Sequence, residues 1–441
     1  MERAAALYQA GRLDEARERA LQILAADASD FNALHLLAAI ALRAGRPDEC
    51  IDYTTRALEH VPDHPEVLCN RGIALRALGR LEEALAHYDR VLAANPGHVP
   101  ALSLRGVALA ALNRHGDAID SFSRAIALEP RYAPAYLNRA FSNLATGRYD
   151  EGWRDFEWRW TGSDTQVALR SFQQPEWRGE DLRGRSILVH AEQGLGDAIQ
   201  FARYVPLLAE RGAQVVLEAQ APLKALLADL PAKLVTFGDA PPTTDFQCAM
   251  LSLPLAFGTR ADSIPANVPY LRAPRAHVEK WRARLAEVTG PRIGIAWSGN
   301  TRQQNDRNRS IPIEALDALR NGPWTLVSLQ KEVRESERGA LGGERPILHF
   351  GDELADFRDT AALVAQVGAV VSVDTSVAHL AGAMGRPLTL LLTFAADWRW
   401  LLDRADSPWY PTARVLRQRE PGDWLPVIKE AAATLVHTGR S

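Results

Sequence analysis

The sequence predicts a helical repeat array followed by two lobes of parallel α/β structure. Three observations carry this: a 34-residue period in the first third, short apolar runs alternating with amphipathic stretches after about residue 180, and a linker between two such series. The chain has 441 residues, 47% apolar and 24% charged, the composition of a globular protein with a sizeable core. A net charge of −3 gives no basic excess for nucleic acid or an anionic membrane. Five of the 51 basic residues are lysines, so arginine is abundant and a lone arginine is weak evidence. Charge-free stretches such as 246–259 and 360–373 reach 14 residues and no more, short of the roughly 18 that span a bilayer. The start lacks a signal peptide's apolar core, and Cys50, Cys69 and Cys248 have neither metal spacing nor pairing logic. The expected location is cytoplasmic and reducing, with no integral membrane contact.

Gly11, Gly45, Gly79, Asn113 and Gly147 recur every 34 residues. Five residues after each comes a small residue: Ala16, Cys50, Ala84, Ala118 and Gly152. Pro62, Pro96 and Pro130 keep the same period, as do Gly72, Gly106 and Ala140. The spacing predicts two antiparallel helices per repeat. The glycine ends the first helix in a left-handed cap, the small residue allows close approach, and the proline follows the second helix. The pattern resembles the tetratricopeptide repeat over residues 1–160, with about five copies. Such an array stacks into a superhelix whose groove binds peptides, or it supports the rest of the chain. Asn70 and Asn138 sit on first helices, while Leu36 and Leu104 interrupt the same phase. The arrangement resembles the repeat domains of O-GlcNAc transferases, where such asparagines hold the acceptor peptide; the other reading is ordinary polar surface. Trp153, Trp158, Trp160 and Trp177 read as a joint to the next domain.

In the first lobe, strands are expected at 187–190, 214–218, 233–237 and 246–251, with helices at 196–211 and 221–229. A proline-rich passage leads to a helix at 275–288 and a second series of strands at 292–297, 324–329, 346–350, 369–373, 388–392 and 413–416. The expected domains are 1–160, 161–274 and 275–441, the last ending in a helix at about 422–437 that packs back across the lobes. Ligands bind at the carboxyl ends of such sheets, so residues just after strands are the candidates.

Three stretches qualify. Residues 191–197 carry Gly194 and Gly196, for close backbone approach, and Asp197 in a helix's first turn. That carboxylate either takes a proton from an acceptor hydroxyl or caps the helix. Asp374-Thr375-Ser376-Val377-Ala378-His379 joins a buried strand to a helix. Its amides and hydroxyls suit a diphosphate that His379 also reaches, or Thr375 and Ser376 are caps beside a packed histidine. Trp297-Ser298-Gly299-Asn300 leads into a loop carrying Arg302, Arg307 and Arg309, a basic flap or a solvated loop. Gln330 and Lys331 follow the next strand, and Lys331 is placed to pair with a phosphate. Trp398, Trp400, Trp409 and Tyr410 either stack on a ligand or form core, with core favoured.

Together these motifs, over residues 185–420, resemble heptosyltransferase-like glycosyltransferases of the GT-B fold, built from two Rossmann-like lobes. The resemblance implies Asp197 as catalytic base and Asp374, Thr375, Ser376 and His379 as donor-phosphate residues, with Ser376 where the family has glycine. Arg309 stands where the family has a phosphate-contacting lysine, and Gln330 near its ribose-contacting acid. Lys331, Ser298 and Asn300 complete the donor side. A repeat array fused to this domain is similar to bacterial protein glycosyltransferases, including those acting on flagellin. The family implies inversion without a metal and no cofactor beyond the nucleotide-sugar co-substrate; the sequence has no Asp-x-Asp and no clustered His/Cys ligands. The expected function is sugar transfer from a nucleotide sugar to Ser/Thr of a protein held by the repeats. The alternatives are a peptide-binding adaptor with a degenerate transferase domain and a lipopolysaccharide heptosyltransferase.

Overall fold

The computed structural model describes residues 1–161, 170, 172–192, 194–300 and 306–438. The chain divides into two compact units, Met1–Asn143 and Leu144–Ser441.

The first unit is built of helices α1 (Glu2–Gln9), α2 (Leu13–Ala26), α3 (Phe31–Arg43), α4 (Pro47–His60), α5 (Pro65–Ala77), α6 (Leu81–Ala94), α7 (Val99–Ala111), α8 (His115–Leu128) and α9 (Ala133–Ala145), whose last turn crosses the division. The 34-residue markers do what the period predicts. Gly11, Gly45, Gly79 and Asn113 have φ of 76°, 67°, 78° and 58°, the left-handed conformation that ends a first helix. Ala16, Cys50, Ala84 and Ala118 are fully buried at the helix crossings. At Gly106 an added methyl would lie 2.5 Å from the Phe122 ring, and at Gly72 it would collide with Tyr88. In these two pairs the second helix therefore leans an aromatic ring on bare backbone of the first.

A second ladder escaped the sequence reading. Arg71, Arg105 and Arg139 share the period, and each reaches a neighbouring second helix: Arg71 to Thr55 and His87, Arg105 to Asp89 and Ser121, Arg139 to Ser123. Charge-assisted bonds thus tie successive repeats together, alongside apolar packing.

In the second unit α10 (Tyr149–Phe156) precedes a lobe made of β1 (Ser186–His190), α11 (Leu195–Phe201), α12 (Tyr204–Glu210), β2 (Gln214–Ala219), α13 (Ala221–Lys224), β3 (Lys233–Thr236), β4 (Phe246–Ala249) and α14 (Leu253–Phe257). Its sheet is parallel, in the order β3-β2-β1-β4. After α15 (Arg275–Arg284) come β5 (Arg292–Ala296), α16 (Asp306–Arg309), α17 (Asp317–Arg320), β6 (Thr325–Ser328), α18 (Glu335–Arg338), β7 (Ile347–Leu348), α19 (Phe357–Ala365), β8 (Ala369–Val373), α20 (Ser376–Ala383), β9 (Leu388–Leu392), β10 (Ala413–Arg417) and α21 (Leu425–Thr438). This second sheet is also parallel, in the order β10-β9-β8-β5-β6-β7. Strand order reverses between β5 and β8, and in the first lobe between β1 and β4. Loops leaving the carboxyl ends of such strands diverge there and open a crevice.

The division of the chain falls within α9, yet the period continues past it, since Gly147 is left-handed too (φ 77°), and the tryptophans that follow make the joint the sequence predicts. Trp153 Nε1 donates to the Thr259 carbonyl at 2.9 Å and its ring meets Trp398 edge-on at 5.3 Å. Arg159, 2% exposed, is held by Glu157, Glu192 and Ser252. The helix expected at 196–211 is broken into α11 and α12. Arg203, at the break, donates to the carbonyls of Gln200, Pro265 and Trp409.

Candidate active site

The site is built where the ends of β1, β5 and β8 converge. Gly194 starts α11, and Asp197, in its first turn, accepts the Gly194 N–H through Oδ2 at 2.9 Å. This is the capping role the sequence allows, and it uses one lone pair. Oδ1 faces the other lobe and accepts from Arg399 Nη2 at 2.5 Å. Each carboxylate oxygen has two lone-pair positions, so one on each remains for a ligand. Gly196 is where the lobes meet. A methyl there would lie 2.9 Å from His379 Cδ2 and 3.6 Å from Ser376 Cα, so α11 and α20 approach backbone to side chain.

Asp374, Thr375 and Ser376 form the turn from β8 into α20. Thr375 is extended (φ −143°, ψ 171°), and its hydroxyl lies 3.2 Å from Ser372 Oγ and does not cap the helix. The first amides of α20 have no partner within the helix and point out of its start. His379 is 4% exposed, with Nδ1 2.9 Å from the Tyr410 hydroxyl and its ring stacked on Trp400 at 5.3 Å. Burial first, then Arg399 and Arg203, hold its pKa well below the usual histidine value. The ring is therefore held neutral, a hydrogen-bonding group and not a cation. Its Nε2 lies 3.7 Å from Asp374 Oδ1. Burial and the neighbouring Asp397 push the Asp374 carboxyl up to about 6.

Arg309, at the end of α16, donates through Nη1 to the Asp374 carbonyl at 2.9 Å. Its guanidinium fills the place a side chain on Gly299 would need. A cleft of about 200 Å³ lies beyond the ends of β8 and β9, lined by Arg309, Asp374, Leu392, Thr393, Ala396 and Asp397. A larger cavity, about 490 Å³, sits on the first lobe between Arg170, Phe172, Gln173, Thr243 and Asp245. None of the strand-end motifs lines it, whereas Asp374 and Arg309 line the smaller cleft.

The remaining candidates are placed as follows. Gln330 is buried. Its Oε1 accepts the N–H groups of Trp297 and Ser298 at 2.7 and 3.0 Å, and its Nε2 donates to Ser298 Oγ at 3.0 Å. Gln330 and Ser298 thus brace the end of β5 against β6, and their polar atoms are engaged with each other and not with the cleft. Lys331 is exposed and donates to the Ala355 carbonyl at 3.3 Å, away from the residues lining the cleft. Asn300 is exposed at the end of the β5 loop. Arg307 is exposed, whereas Arg302 and Gln193 lie outside the described residues. On the repeats, Asn138 turns its amide back to the Pro134 carbonyl at 2.8 Å, and Asn70 is half-buried on α5. Trp398, Trp400, Trp409 and Tyr410 are core, at most 4% exposed. Among the described residues no three His, Cys, Asp or Glu side chains are grouped to hold a metal ion.

Sequence reading missed Arg399, because one arginine among so many has no local signature. Its turn, Trp398–Trp400, is capped by Asp397, which accepts the Arg399 N–H at 3.0 Å and its Nη1 at 2.9 Å.

Fold and site together define a helical repeat unit joined to a two-lobed parallel α/β unit with a strand-end cleft. Residues 29–97, 69–133 and 103–152 match the tetratricopeptide-repeat family, so the first unit carries tetratricopeptide repeats, an architecture that presents surfaces to protein partners. The chain is similar to protein FlbA of Caulobacter vibrioides, 28% identical over 318 residues, covering 66% of this chain and 53% of that protein. The chain thus spans about half the length of that curated relative. The aligned part is longer than the repeat unit, so it extends into the α/β half. Among solved structures, MamA is similar at 20% identity over 36% of this chain and 92% of its own, with a TM-score of 0.33. A thermophilic tetratricopeptide-repeat protein of Thermus thermophilus is similar at 25% identity, 36% and 86% coverage and a TM-score of 0.33. No described helix is long and apolar enough to cross a membrane.

Proposed function

We propose that the chain is an inverting glycosyltransferase of the GT-B type that moves a sugar from a nucleotide sugar to a Ser/Thr hydroxyl of a protein held by the repeats. The observation that carries this reading is the meeting of two strand-end motifs: Asp197, at the start of α11, faces the beginning of α20 across the Gly196 contact. In the transfer step the acceptor hydroxyl attacks the anomeric carbon while Asp197 takes its proton. The bond from that carbon to the phosphate oxygen breaks, and its electron pair leaves with the nucleoside diphosphate. The leaving charge is met by the α20 amides, Arg309 and the His379 N–H. The resemblance to heptosyltransferase-like enzymes supplies inversion without a metal. Flagellin is the first acceptor to test. Mass spectrometry of flagellin incubated with nucleotide sugars and this protein is expected to show a sugar-sized mass gain on Ser or Thr that is absent without the protein. Surface proteins unmodified under every donor would contradict the reading.

A second reading, a peptide-binding adaptor with a degenerate transferase half, is favoured by one observation: Gln330 and Ser298 are engaged with each other, so the Gln330 amide at the end of β6 is already committed to the protein and not to a ribose.

A further inference from the structure

We propose that Arg399 is a positioning residue that holds Asp197 in the orientation needed to accept the acceptor's proton and ties it to the two carboxylates of the donor cleft. The inference rests on the transfer reading above and adds to it a residue from outside the matched motifs. Arg399 lies on the loop after β9, about two hundred residues from Asp197 in the chain, and is 8% exposed. Three acceptors from two elements fix its guanidinium: Asp197 Oδ1 on Nη2 and Gln200 Oε1 on Nε at 2.8 Å, both from α11, and Asp397 Oδ1 on Nη1 at 2.9 Å from its own turn. The Trp398 ring stacks against it, 4.3 Å from Cζ. Four contacts on a planar group leave it one orientation, and the orientation of Asp197 Oδ1 follows from it.

The backbone beside Arg399 is strained in a way that serves this. Leu401 has φ 53° and ψ −173°, and Asp403 has φ 50°. A buried leucine in that region is held there by its surroundings, and such strain gathers where a side chain must be aimed. Asp397 is also the link onward, because it caps the turn, binds Arg399 and lines the cleft with Asp374. One cation therefore sits among Asp197, Asp397 and Asp374, and the proton-accepting and donor-holding ends of the site share it.

The charged and titratable groups around the pair are Asp197 itself on α11, Arg203 between α11 and α12, Asp374 and His379 from the β8–α20 turn, Arg309 on α16, Asp397 beside Arg399, and Tyr410. Burial raises the Asp197 carboxyl and Arg399 is the leading influence that lowers it, so removing the guanidinium moves its titration upward. The test uses the full chain with Arg399→Gln and Arg399→Lys. Carbon-13 NMR of labelled aspartate, assigned with Asp197→Asn, follows the Asp197 carboxyl. Its midpoint is expected to rise by a unit or more in Arg399→Gln and to return part of the way in Arg399→Lys. Where turnover is measurable, kcat in Arg399→Gln is expected to fall at least tenfold at pH 6 and less at pH 8, with the donor KM within threefold. An unchanged Asp197 midpoint with an unchanged kcat profile would overturn the role of Arg399. Absence of turnover in the unsubstituted chain with every donor, beside a shifted midpoint, would overturn the transfer reading and leave the positioning contact standing.

Discussion

Asp197→Asn is expected to lower sugar transfer by roughly a thousandfold, the range general-base removal commonly covers. Nucleotide affinity should change by less than about twofold, because no donor-side residue in the cleft bonds Asp197. The substitution keeps the shape of the side chain but supplies one acceptor where Arg399 and the Gly194 N–H both need one. An amide N–H must then face one of those donors, at a cost of about 1–3 kcal/mol. Thermal unfolding of the variant separates that cost from catalysis: a folded variant with native nucleotide binding and no transfer is the expected result. A variant that transfers at the native rate removes Asp197 from the chemistry.

The second large effect is on stability, and it runs in the favourable direction. Asp374 titrates near 3.8 when exposed, and in the folded protein burial and Asp397 push it up to about 6. The folded state therefore holds this proton to higher pH than the unfolded chain does. The stability linked to that proton is complete below about pH 3.8 and is lost as pH rises through about 6. With the side chain about a quarter exposed, the loss at neutral pH is about 2–3 kcal/mol. Asp374→Asn removes the buried charge, so the variant is expected to unfold at a higher temperature than the unsubstituted protein at pH 7.5, by about 5 °C. The gain should shrink toward zero near pH 4. Scanning calorimetry at the two pH values checks this, and a gain of equal size at both would show that the Asp374 charge is not what the fold resists. A carboxylate kept in such a place at a stability cost fits a site selected for binding and not for rigidity.

The parts of this molecule legible in its sequence are those set by local backbone chemistry. A left-handed residue every 34 positions needs glycine or asparagine, and Gly11, Gly45, Gly79 and Asn113 announce the helix ends without tertiary information. The parallel strands were equally visible, because strands covered on both faces read as short apolar runs bounded by polar turns. The tryptophans after Gly147 were legible as a joint, and Trp153 makes it by packing against Thr259 and Trp398. The break between α11 and α12 was legible in Pro206, which has no N–H to give the Ala202 carbonyl; what was not legible is that the carbonyls of Pro265 and Trp409 claim Arg203 there. In the site, Asp197, Gly196, Asp374 and Arg309 were found from motifs at strand ends and lie together. Gln330 sits at the expected strand end but bonds backward onto β5, and Arg399 could only be seen once the chain had folded.

In the proposed reaction the cleft between Arg309, Asp374 and Asp397 receives a nucleotide whose diphosphate reaches the start of α20. Calorimetric titration of the purified chain with nucleoside diphosphates of all common bases, and with their sugar conjugates, tests it most directly. Saturable binding of one base, with the diphosphate bound more tightly than the free nucleoside, is the predicted result. Heats indistinguishable from dilution for every nucleotide would contradict the claim and leave the second unit without a transferase role.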